Sequence, residues 1–183
     1  MWRLMLASGL LQGICRAADM TVAGHPPAAV IERTYELLND ARSKSRDCGG
    51  EHFAPSPPLA VSGALQEAAR VHAEDMARRR YFEHRGRDGS EPRDRVARQG
   101  YAANLSGENI AYGPESAEEV VAGWLASPGH CANIMDPRFR DTGLALAIDP
   151  VKHATYWVQT LARPAAVTRA AAKPRPGRAS RPP

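Results

Sequence analysis

The chain has 183 residues, 43% hydrophobic and 24% charged, which suits one folded domain with extensions and excludes wholesale disorder. Its net charge of +4 belongs to one end: six basic and no acidic residues lie between Arg163 and Pro183, against 16 basic and 19 acidic between Met20 and Ala162. A body with that mildly acidic balance is not a nucleic-acid-binding domain, which carries its basic surface on the fold.

Residues 1–18 read as a secretory signal. Arg3 supplies the positive start, Leu4 to Ile14 is mostly apolar, and Cys15, Ala17 and Ala18 offer small residues for cleavage. The run falls short of the roughly 20 apolar residues that span a bilayer, so no transmembrane span is expected. A rival reading, lipid attachment at Cys15, is disfavoured by Gln12 and Ile14 ahead of it.

Ala28 to Ser45 repeats apolar residues at helical spacing, behind Pro26-Pro27. Ser45 to Pro58 reads as a loop holding Cys48. Ser62 caps a second helix with Leu65, Ala68, Ala69, His72, Met76 and Ala77 on one stripe, ending in Arg78-Arg79-Arg80. After a turn at 86–90, Glu91 to Gln99 is a short helix with Ser90 as its cap, and Asn109 to Ala111 is extended. Ser116 opens another helix, which Ser127-Pro128-Gly129 ends. Thr142 to Ile148 and Ala154 to Leu161 are strands. Helices first and strands late predict an α+β fold with helices packed on a small antiparallel sheet.

Removing the signal leaves Cys48 and Cys131, an even pair, and predicts a disulfide in an oxidising compartment. Closing a loop of about 83 residues is worth roughly 4.5 kcal/mol in the chain-entropy model. The alternative is two buried free thiols. The end of the chain, residues 164–183, lacks large apolar residues and is expected to be a disordered basic tail, solvated and without a partner, the alternative being contact with an anionic envelope surface.

His25, His52 and His153 sit where a solvated imidazole is the default, and His72 on its apolar stripe reads as a satisfied core histidine. His84 and His130 lie at helix ends beside turn residues, and Glu108 stands between a loop and a strand. Two His and a carboxylate suit zinc or another divalent metal. They equally suit an acid–base pair, or hydrogen bonds tying a loop to the sheet. With long gaps and no HExxH helix, spacing alone favours the hydrogen-bond reading. Ser127 close to His130 invites a serine-nucleophile reading, but no GxSxG elbow accompanies it.

Taken in order, Ala73-Glu74-Asp75-Met76-Ala77, Tyr81-Phe82-Glu83-His84, Gly107-Glu108-Asn109-Ile110, Trp124-Leu125-Ala126-Ser127-Pro128-Gly129-His130 with Ala132-Asn133-Ile134-Met135, and Tyr156-Trp157-Val158-Gln159 resemble the bacterial branch of the CAP superfamily of cysteine-rich secretory and pathogenesis-related proteins (the SCP domain). The resemblance implies a CAP domain over 25–163, a three-layer α-β-α sandwich around a small antiparallel sheet, and secretion to the exterior or periplasm. It implies a cleft with two His and two acidic residues, three of them matched by His84, Glu108 and His130. Ser127 stands where many members have the other acid. It implies binding of a metal, lipid or cell-envelope ligand more firmly than catalysis, by a domain expected to be monomeric. A metal-assisted hydrolase using the same three residues, and a structural envelope protein, are the alternatives.

Overall fold

The computed structural model describes residues 27–166 together with Val22 and Gly24. The signal expectation, Cys15, His25 and residues 167–183 lie outside them.

The elements run α1 (Pro27–Arg42), β1 (Arg46–Cys48), β2 (Glu51–Phe53), β3 (Ala60–Val61), α2 (Gly63–Arg79), α3 (Pro92–Arg98), β4 (Ala103–Tyr112), α4 (Ala117–Ala126), α5 (Pro128–Met135), β5 (Asp141–Ile148) and β6 (Thr155–Pro164). The main sheet has the order β3-β5-β6-β4. Its three long strands are antiparallel as expected, and two-residue β3 adds a parallel pairing to the start of β5.

Alternation along the strands divides the core. Leu144 and Trp157 face one side, packed with Leu38, Val120, Trp124, Ile134 and Met135 from α1, α4 and α5. Ala145, Tyr156, Val158 and Ile110 face the other, against Ala69, Ala73, Met76 and Ala77 of α2. Helices on both faces make the three-layer α-β-α arrangement, in the α+β class.

The loop expected over 45–58 contains a hairpin. Gly49 and Gly50 both take positive φ (61° and 96°) between β1 and β2, as a tight two-residue turn requires. A Cβ at Gly49 would lie 2.5 Å from Pro128 Cβ, so the turn is pressed against the start of α5. The Cys48–Cys131 disulfide is present, with Cα atoms 5.5 Å apart, and joins the hairpin to α5.

Two helix boundaries differ from expectation. Ser90 does not cap α3, because its hydroxyl donates to Asp88 Oδ1 (2.6 Å). Glu91 takes the cap, in a reciprocal box with Asp94. Pro128 does not merely stop α4; it opens α5, where its fixed φ and missing N–H suit the first position. Ser116 caps α4 as expected, accepting from Glu119 N–H (3.1 Å). Buried Arg42 secures the far end of α5, donating to the carbonyls of Pro57, Ile134, Asp136 and Phe139. Burial, with the charge of Arg140, lowers its pKa to about 10.

The alanine stripe lets α2 lie close to the sheet. Gly143 is the point of closest approach: a Cβ there would sit 2.0 Å from Gln66 N and 2.2 Å from Leu65 C. Neither backbone atom can move without displacing the helix. Gly143→Ala is therefore expected to lose about 3 kcal/mol in urea unfolding. Gly63→Ala, where the Cβ meets nothing within 4 Å, should stay within about 0.5 kcal/mol.

Candidate functional site

Arg80, with φ of 56°, ends α2 in a left-handed turn, its N–H donating to Met76 O. Its guanidinium Nε also donates to buried Asp149 (3.2 Å). The chain then carries Tyr81 to His84 toward β4, an outer strand of the sheet.

On β4 the Glu108 side chain is 2% exposed and both its oxygens are engaged. Oε1 accepts from His84 Nδ1 (2.9 Å) and Oε2 from Arg95 Nη2 (2.7 Å). Arg95, on α3, is itself buried, and donates also to the carbonyls of Ser90 (3.0 Å) and His84 (2.9 Å). His72 is 1% exposed, donates from Nε2 to Glu83 O (2.9 Å), and stands 3.9 Å from Glu108 Oε1. A carboxylate can only accept, so His84 Nδ1 carries a proton and donates, and Nε2 is the ring nitrogen left for another partner. The His84 side chain is half exposed, so that nitrogen belongs to the accessible part of the site.

The other side of β4 meets α5, whose first turn holds His130, at a helix end as expected. Amides dock α5 on the strand. Asn109 Nδ2 donates to His130 O (3.3 Å) and Gln159 Oε1 (2.9 Å). Asn133 Nδ2 donates to Asn109 Oδ1 (2.9 Å) and Glu108 O (3.4 Å). Burial, with the charge of His84, holds the His130 pKa below the ordinary imidazole value. Glu108 and Asn109 are neighbours on β4, so the strand meets His84 on one face and the His130 backbone on the other.

His84 and Glu108 are in direct contact, and His130 meets the neighbouring Asn109 through its backbone carbonyl. Glu108 is spent on Arg95 and His84. Among the described residues no group of three or more His, Cys, Asp and Glu side chains is arranged to hold a metal ion. Ser127 joins α4 to α5 and its hydroxyl caps neither helix through a hydrogen bond. Reasoning along the chain missed Arg95, Asn109, Asn133 and Gln159. The one local signal for Arg95 was a cation beside Val96 on the inner side of a short helix, which needs a buried acid to match it.

The family model for the cysteine-rich secretory protein family, CAP, matches residues 35–161. The chain belongs to this family. It is 34% identical over 139 residues to YkwD of Bacillus subtilis (strain 168), an uncharacterized protein, across 76% of this chain and 49% of YkwD. It thus spans about half the length of that relative. Its fold is similar to an extracellular SCP-domain protein from Bacillus anthracis str. Ames (25% identity, TM-score 0.64, 76% of this chain and 42% of that one). It is also similar to an outer surface protein from Borrelia burgdorferi (20% identity, TM-score 0.63, 75% and 94%). This is a CAP domain of the bacterial branch, and its His–Glu–Arg cluster lies within the matched residues.

Breaking the ion pair of this CAP domain exposes its cost. Arg95→Met leaves Glu108 buried without its cation, and chemical denaturation at pH 7 should show a loss of about 3 kcal/mol or more.

Burial also lowers the His72 pKa, and Arg95 adds to the shift while Glu108 opposes it. Below about pH 6.5 the unfolded chain protonates this imidazole while the folded state resists. Stability present above that pH is therefore lost as the pH falls, by up to about 1.4 kcal/mol per pH unit for this one group. Unfolding measured from pH 7 to pH 5 should show a shallower decline for His72→Gln than for the parent; an unchanged slope contradicts the assignment.

Proposed function

We propose that this protein is a non-enzymatic binding module acting outside the cytoplasm, whose ligand is taken in the cleft flanked by His84 and His130. The observation that carries the reading is the double engagement of Glu108. A carboxylate held by a guanidinium and an imidazole is poorly placed to act as a base, and well placed to orient His84. A carboxylate on the far nitrogen is the usual partner of a metal-ligating imidazole, since it fixes the tautomer and raises basicity. His130, kept neutral by burial, supplies a second nitrogen. Two such donors fit a divalent ion such as zinc, with Glu108 and Arg95 as support. Bound there, the ion would leave coordination positions open to a ligand.

Action outside the cytoplasm is supported by the Cys48–Cys131 disulfide, which persists in oxidising compartments. The B. anthracis relative is an extracellular protein, which agrees. No helix among the described residues is long and apolar enough to cross a membrane.

Calorimetric titration of the full chain with zinc tests the site. Micromolar binding, about −8 kcal/mol, is expected for the parent and none for His84→Ala/His130→Ala. Equal binding by both removes the cleft as the metal site. No binding by either turns the search to lipid or envelope ligands.

A further inference from the structure

A cavity of about 230 Å³ opens between α2, the 86–90 turn and α3. Neither His84 nor His130 lines it. Four guanidiniums do: Arg78 and Arg79 from the last turn of α2, Arg95 and Arg98 from α3. The turn that closes one side is tightly packed, since a Cβ at Gly86 would lie 2.6 Å from Asp88 Oδ1 and 2.8 Å from Ser90 Oγ.

The acids of this cavity are already committed. Asp88 Oδ1 accepts from the Ser90 N–H (2.9 Å) and hydroxyl (2.6 Å), and Oδ2 from Arg98 Nη1 (2.6 Å). Asp75 Oδ1 meets both Arg78 Nη2 (2.9 Å) and Arg79 Nε (3.1 Å), while Oδ2 accepts from the Tyr81 hydroxyl (2.8 Å). Both Glu74 oxygens accept from Arg70 Nη1 (2.6 Å). The cations are not exhausted in the same way. Arg78 meets its acid through Nη2 and Arg98 through Nη1, and the two side chains are 71% and 56% exposed. A guanidinium has five N–H groups, so both arginines keep donors that face water. Arg78 and Arg79 also share the one carboxylate of Asp75.

A cavity with donors to spare and its acceptors occupied selects an anion rich in acceptors. A carboxylate offers two oxygens in one plane. A phosphate offers oxygens in several directions, so it can meet guanidiniums from two helices at once. Val71, 41% exposed on the same wall of α2, gives apolar contact to whatever the phosphate is joined to.

We propose that this cavity binds the phosphate group of a phosphorylated ligand, with Arg78 and Arg79 holding it from α2 and Arg98 from α3. The site goes beyond the binding-module reading and uses neither imidazole, so its test stands apart from the zinc titration.

Proton–nitrogen NMR spectra of the full chain, covering backbone amides and arginine Nε–H groups, are titrated with inorganic phosphate at ionic strength held constant by chloride. Saturable shifts centred on residues 71–79 and 86–99 are expected. Arg78→Gln/Arg98→Gln should raise the dissociation constant by about tenfold or more, whereas His84→Ala/His130→Ala should leave it unchanged. Acetate should bind about tenfold more weakly than phosphate. Exposed ion pairs contribute little to stability, so the arginine variant is expected to fold, and the mapping in the parent is a test by itself. The proposal is overturned by the absence of saturable shifts, by shifts centred elsewhere, by an unchanged dissociation constant in the arginine variant, or by acetate binding as tightly as phosphate.

Discussion

One buried negative charge organises this end of the molecule. Glu108 points into the α2 side of the sheet, where an unpaired carboxylate would be severely penalised, and Arg95 is the cation that meets it at 2.7 Å. To reach it, Arg95 must come from α3, so the pair dictates how α3 docks. The same guanidinium holds the carbonyls of Ser90 and His84, drawing both ends of the 84–90 segment inward. The second carboxylate oxygen then sets the orientation of His84. A pair of this kind adds little net stability over an apolar substitute, but it is costly to break and allows few other arrangements of the groups around it.

The two faces of the sheet divide the remaining work. The α2 face is built from alanines and Gly143, so helix and sheet lie close and leave little room for rearrangement. The opposite face carries the bulk, with Trp124 and Trp157 almost wholly buried. There α5 is fixed from three directions: by the disulfide to the hairpin, by the carbonyl contacts of Arg42, and by the amides of Asn109 and Asn133. The His130 backbone is thereby held through its neighbours Cys131 and Asn133, whose partners lie far off in sequence. The contacts of His84 and His130 with β4 lie where the two arrangements meet, along the outer strand of the sheet.

Much of the fold was legible along the chain because its signals are local. The stripe from Leu65 to Ala77 is buried as its spacing implies, Ser116 caps its helix, and both late strands occur with their expected connection. Two local signals were present but read too coarsely. Gly49-Gly50 is a hairpin turn pair, yet the short strands around it are too brief to show alternation. Ser127-Pro128 ends one helix and begins the next, and a stop signal and a start signal look alike when they share residues. The ordered motifs shared with the CAP family sufficed for the family and the fold class, which the family model and the structural neighbours bear out.

The sequence by itself determined the helices and strands with clear periodicity, the pairing of the two body cysteines, and the family. These follow from short-range patterns, from counting, and from residues in a fixed order. Only the tertiary structure decided that Glu108 belongs to Arg95 as much as to His84, and that His84 and His130 stand on opposite sides of one strand. It alone decided that the carbonyls of Glu108 and Ile110 are taken by Asn133 and Trp124. Charge pairing across 13 residues and strand register against a partner some 50 residues away are set by packing of the whole chain. No local pattern encodes which buried acid a buried cation will find, or which way a peptide group will face.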